Sequence, residues 1–198
     1  MSTLYYVLDP MCSWCYGFSP TWKKLLADLP SNIKVTYVHG GLAPHSDEPM
    51  PKNMQSMLES TWRQIETQTQ VTFNFNFWST CEPRRSTYLA CQACIATRLQ
   101  GKEYEMIQAI QESYYQKASN PSNRDTLEVA AKNCGLDSEK FSHDLQSDTV
   151  VAMFHEDLKK RRELGINGFP SLVYHREEKY LNISIDYNNY EAILKQLL

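Results

Sequence analysis

The chain has 198 residues, 42% of them hydrophobic, and a formal net charge of −3. That length suits one domain, or one domain with a large insertion, and the apolar content supports a core without disulfide or metal staples. The balanced charge, with no aromatic-interleaved Lys/Arg stripe, argues against a nucleic-acid partner, and no apolar segment approaches the ~20 residues that cross a bilayer.

Leu4 to Leu8 reads as the first strand, rich in Tyr, Val and Leu without strict alternation, as in a strand covered on both faces. Only Met1, Ser2 and Thr3 precede it, and no basic n-region or small-residue cleavage site follows. With Met1 as the natural start, the expected location is the cytoplasm. Thiols are kept reduced there, so the six cysteines are read for redox or metal chemistry rather than as a disulfide framework.

Cys12-Ser13-Trp14-Cys15 comes next, before a stretch in which Phe18, Trp22, Leu25, Leu26 and Leu29 recur near the helical period. A dithiol at a strand-to-helix turn is chemically special. Free N–H groups and the positive end of the helix dipole favour a thiolate at Cys12, and Cys15, one turn on, can close a disulfide with it. Cys12 is the expected nucleophile and Cys15 the deeper, resolving thiol, with Trp14 exposed between them. Two core cysteines three apart are the bland alternative, and the strand-turn-helix context weighs against it. Pro20 is expected to kink the helix, which Pro30-Ser31-Asn32 ends.

Ile33 to Val38 alternates as a second strand, parallel to the first, closed by Gly40-Gly41. From Met50 to about Arg162 the period is helical, with helices expected near Asn53–Thr67, Arg84–Leu99, Tyr104–Lys117, Asp125–Cys134 and Asp148–Leu164. Phe73 to Trp78 alternates aromatic and polar residues, as a short extended piece would. Asn120 to Asn123 and Gly135 to Ser138 read as turns. Strands return at Ser171–Tyr174 and Tyr180–Ile185, a hairpin about the charged turn His175 to Lys179. Asn189 can cap a last helix over Tyr190–Leu198. The order is β-α-β, helical block, β-β-α. The expected division is residues 1–44 plus 165–198 for the α/β part and residues 45–164 for the inserted helices.

Other polar and sulfur residues have competing readings. Cys91 and Cys94 form a second C-x-x-C in mid-helix, where core packing is favoured over a redox relay or a zinc site shared with the first pair. Cys81 and Cys134 read as structural. His39 is the one histidine near the functional edge, and reads as a satisfied strand-end residue rather than a base. Arg84 and Arg85 could bind the carboxylates of a glutathione-like thiol, though a solvated or capping role is favoured. Met50, Met54 and Met57 fit a helical core stripe. Lys159 to Arg162, flanked by Asp157 and Glu163, reads as a solvated helix face. No metal site is expected.

A β-α-β half and a β-β-α half, with C-x-x-C between the first strand and helix, resembles the thioredoxin fold. The helical insertion resembles the DsbA family. Pro20, five residues after Cys15, matches a proline common in such helices, and Gly168-Phe169-Pro170 matches the position of the family's cis-proline. Gly40-Gly41-Leu42 and Glu82-Pro83-Arg84-Arg85 resemble the cytoplasmic FrnE-like branch, related to 2-hydroxychromene-2-carboxylate isomerase and kappa-class glutathione transferases. The dipeptide Ser13-Trp14 departs from the Pro-His of periplasmic relatives. The first strand also lacks the acid often buried beneath the second cysteine, which leaves water or Asp9 to take the Cys15 proton.

The resemblance implies a thiol-disulfide oxidoreductase, reductase or isomerase, with Cys12, Cys15 and Pro170 as catalytic residues. A cis Pro170 would leave the Phe169 backbone free for substrate and shield the dithiol from metals; a trans proline opening an ordinary strand is the alternative. Met11, Ser13, Trp14, Gly168 and Phe169 are the expected substrate contacts. No cofactor is implied beyond glutathione as co-substrate, and the partner is a disulfide-containing protein or a small-molecule thiol. The alternatives are a kappa-type glutathione-dependent isomerase or transferase, and a non-catalytic binding module or zinc-stabilised scaffold. Kappa-class relatives typically have serine where this chain keeps Cys12.

Overall fold

The structure, a computed structural model, describes residues 2–198. Its chain order is β1 (Ser2–Leu8), α1 (Ser13–Asp28), β2 (Ile33–His39), α2 (Lys52–Thr69), α3 (Phe77–Thr80), α4 (Tyr88–Arg98), α5 (Glu103–Tyr115), α6 (Arg124–Asn133), α7 (Ser138–Leu145), α8 (Asp148–Glu163), β3 (Ser171–Arg176), β4 (Lys179–Ile183) and α9 (Tyr190–Leu194). The strands form one sheet in the order β2-β1-β3-β4. β1 runs parallel to β2 and antiparallel to β3, and β4 returns antiparallel on β3. This is an α/β thioredoxin fold, with seven helices between its two halves.

β1 has neighbours on both sides, which explains its apolar run. Leu4, Tyr6 and Leu8 enter the main core with Phe18, Trp22 and Leu25 of α1, while Val7 on the opposite face meets Val38, Ile166 and Val173. β4 is the exposed edge; only its last residue, Ile183, is buried. α1 continues through Pro20. A proline has no N–H to give the carbonyl four residues back, and here the Ser19 hydroxyl donates to that Tyr16 carbonyl at 2.7 Å.

The helical block departs from the sequence reading in several places. The aromatic run from Phe73 is not extended throughout: it is a loop that turns into α3 and wraps Trp62, with ring centroids 4.9 Å from Phe73 and 4.7 Å from Trp78. The turn at Gly135 to Ser138 is also the start of a helix, α7. The Asp137 side chain accepts from Lys140 N, and Phe141 and Leu145 are buried one turn apart. The last helix ends at Leu194, short of Leu198, and the helix expected from Arg84 begins at Tyr88.

Charged groups tie the helices to the end of β2. Arg98 of α4 donates to Glu103 of α5, to Asp157 of α8 and to the Tyr37 carbonyl, while Asp157 accepts the backbone N–H of His39 at 2.9 Å. His39 Nε2 lies 2.9 Å from Glu103 Oε1, as a strand-end residue with a partner should, although its buried Nδ1 has none. Among the described residues, no helix is long and apolar enough to cross a membrane.

Candidate active site

Cys12 is the residue immediately before α1. Its backbone is extended (φ −82°, ψ 118°), its carbonyl accepts from Tyr16 N, and its own N–H donates to the Asp9 carbonyl. The sulfur therefore sits at the helix N-terminus, where partial positive charge gathers. Cys12 retains 8% exposure, whereas Cys15 has none. Both are free thiols. Burial pushes the Cys15 thiol well up, and the neighbouring Cys12 adds to the effect.

The Phe169–Pro170 peptide bond is cis. The loop before β3 lies against the dithiol, and the Cys12 thiol is 3.6 Å from the Phe169 carbonyl that accepts from it. Met11, Cys12, Ser13, Trp14, Gly168 and Phe169 all line one cavity of about 340 Å³. Cys15 and Pro170 are not in its lining. Trp14 is half-buried rather than exposed, because its ring packs edge-on against Tyr187 at 5.3 Å.

The opposite wall was missed. Met50, Met54 and Met57 line this cavity instead of forming a core stripe: Met57 is 56% exposed, and only Met50 is buried. The helical period revealed an apolar face on α2 but not what that face overlooks. Arg84 and Arg85 are the charged residues of the lining. Arg84 reaches the Ser122 carbonyl and the Asn123 side chain, which ties the loop before α4 to that before α6. Arg85 is exposed.

Asp9 is the nearest acid to the dithiol, as the sequence implies. It occupies a loop, as expected, yet is fully buried. Its Oδ1 accepts from Met11 N at 2.8 Å, and its Oδ2 from Leu42 N and Thr87 Oγ1, each at 2.6 Å, and from Cys91 Sγ at 3.5 Å. Burial pushes its carboxyl up; those donors, Leu42 N–H foremost, pull it partly back. An acid absent from β1 is thus supplied by the loop that leads into Cys12.

Cys91 and Cys94 are fully buried, and burial raises both thiols. Cys94 packs in the core as expected, while Cys91 has the further contact with Asp9. Cys81 donates to the Ala118 carbonyl, and Cys134 is half-buried at the end of α6. No group of three or more His, Cys, Asp or Glu among the described residues could hold a metal ion.

A family model described as thioredoxin matches residues 5–196. Among solved structures, a candidate protein disulfide isomerase from Nitrosomonas europaea superposes with a TM-score of 0.87 at 25% identity, covering 99% of this chain and 95% of that one. The cytosolic disulfide reductase DsbM from Pseudomonas aeruginosa gives 0.78 at 22% identity, covering 92% and 89%, a likeness of fold. Among curated proteins, the ClpXP adapter protein SpxH of Bacillus subtilis is 27% identical over 203 residues, which is 98% of this chain and 67% of the relative. The chain thus spans about two thirds of that relative's length.

Proposed function

We propose that this chain, which belongs to the thioredoxin family, is a thiol-disulfide oxidoreductase with Cys12 and Cys15 as its redox couple. The observation that carries the reading is the pairing of a cavity-lining thiol at a helix N-terminus with a fully buried thiol one turn further in. The Cys12 thiolate attacks one sulfur of a substrate disulfide, forming a mixed disulfide and expelling one substrate thiol. Cys15 then attacks the Cys12 sulfur, closing the Cys12–Cys15 bridge and releasing the second thiol. Two electrons pass to the substrate, and two equivalents of an external thiol, such as glutathione, return them. Cys15 has to shed a proton from a dry site, and the acceptor is water or the buried Asp9 carboxylate, whose charge acts on this thiol.

The substrate is a disulfide-containing protein or a small-molecule disulfide. The methionine wall suits an apolar side chain beside the reacting cysteine, and Arg85 with Arg84 suits a carboxylate, including those of glutathione. Glutathione serves as co-substrate, and no bound cofactor is required. The loop motifs Gly40-Gly41-Leu42 and Glu82-Pro83-Arg84-Arg85 support the FrnE-like branch. A cytoplasmic, reducing setting suits the reductase or isomerase direction. Retention of Cys12 weighs against a kappa-type transferase.

The name of the Bacillus subtilis relative favours a second reading, in which the same groove holds a protein partner without turnover. Insulin reduction in the presence of glutathione separates the two. The wild-type chain should turn over, and Cys12→Ser should lose at least about two orders of magnitude, as loss of a nucleophile does. Cys15→Ser should trap the mixed disulfide. A wild-type chain that is inert, together with a Cys12→Ser variant that still captures the same protein, would favour the adapter reading and end the first.

A further inference from the structure

Gly40, one residue beyond β2, has no room for a side chain. A Cβ there would lie 2.0 Å from Cζ and 2.1 Å from Cε1 of the Phe169 ring, far inside contact distance. Its backbone is held at both ends: the N–H donates to the Leu8 carbonyl, and the carbonyl accepts from Arg161 Nη1, each at 2.7 Å. The Arg161 guanidinium also lies over the Phe169 ring, 5.8 Å from its centroid.

The run Lys159 to Arg162 is therefore not a uniform solvated face. Lys159 and Lys160 pair with Glu156 and Glu163, while Arg161 is half-buried, turned toward Gly40 and Phe169, with its buried Nε unpartnered. Gly165, Asn167 and Gly168 of the following loop are exposed. Ile166 and the Phe169 ring anchor that loop against Val7, Val38 and Val173.

We propose that Gly40 and Arg161 are positioning residues for the dithiol reaction, seating the Phe169 ring and thereby fixing the Phe169 carbonyl against the Cys12 sulfur. The inference rests on the oxidoreductase reading and concerns the same site. The path is short: Gly40 abuts the ring, the Arg161 guanidinium lies over it at 5.8 Å, and the carbonyl of that residue lies 3.6 Å from Cys12 Sγ. If the ring is lifted, the carbonyl dipole moves relative to the sulfur and to an incoming disulfide. The bonds made and broken stay the same, but the geometry of attack changes.

The test is the single-turnover rate at which Cys12 attacks a nitrobenzoate disulfide in a Cys15→Ser background. Gly40→Ala should slow that rate by about tenfold or more, since displacements near 1 Å can cost up to about a hundredfold. Gly40→Ala with Phe169→Leu, which removes the ring edge the methyl group strikes, should recover to within about threefold of Phe169→Leu alone. Arg161→Gln should slow the reaction more than Arg161→Lys. A Gly40→Ala rate equal to wild type, or a double variant as slow as Gly40→Ala alone, overturns the proposal. If Gly40→Ala does not fold, the Arg161 pair decides: wild-type rates in both variants overturn it. These rates require no turnover, so the two failures are distinct: insulin reduction with unchanged variant rates overturns this proposal alone, whereas a wild-type chain unable to reduce insulin overturns the oxidoreductase reading on which it rests.

Discussion

Asp9 shows how much one side chain can carry. It sits three residues before Cys12 and gathers donors from Met11, Leu42, Thr87 and Cys91. Its position in the sequence identified it as the nearest acid, but Thr87 and Cys91 are 78 and 82 residues away, and no local pattern encodes such contacts. Asp9→Asn keeps the volume but turns one acceptor into a donor facing other donors. It should cost about 1–3 kcal/mol, seen as a lower Tm. If Asp9 takes the Cys15 proton, the variant should also prolong the mixed-disulfide intermediate in quenched reactions. Resolution at the wild-type rate would remove Asp9 from the mechanism. Trp14 teaches the same lesson: its partner, Tyr187, comes from the far end of the chain.

At the scale of elements, α2 is the informative case. Its apolar period was legible, but a helix can turn such a face to a core or to a groove. Trp62 and Ile65 take the core, while Met54 and Met57 overlook the cavity. Met54→Ala with Met57→Ala should raise KM for a protein disulfide by about fivefold, from lost apolar contact worth on the order of 1 kcal/mol. An unchanged KM would mean that substrates do not use this wall. The first strands, α1 and the hairpin were readable because their patterns are local. α7 was readable too, from Asp137 as cap and Phe141 with Leu145 on one face, but the turn residues before it masked the signal. α3 is four residues long, too short to carry a period.

For the whole molecule, the order of elements revealed the architecture, and the ties between distant segments were hidden. Arg98, Glu103 and Asp157 come from three helices and meet at the end of β2. Burial pushes the Glu103 carboxyl up, but His39 and Arg98 outweigh it and hold the group below its ordinary range. The sign follows from linkage. A carboxyl depressed in the fold contributes stability above its unfolded value, near 4.3, and that contribution is lost as pH falls through the lower folded value. Glu103→Gln should therefore lower stability by about 1–2 kcal/mol at pH 7, since Arg98 loses one carboxylate but keeps Asp157. The gap from wild type should narrow below about pH 4. Melting curves across that range test this; a gap that stays constant would contradict it.

The most direct measurement is a thiol-trapping titration against a glutathione redox buffer, with the bridge located by peptide mass mapping. The oxidised chain should lose the mass of two hydrogens, with Cys12 joined to Cys15 and no bridge at all in Cys12→Ser. A bridge that joins Cys91 to Cys94 instead, or no internal bridge at any buffer potential, would contradict the account.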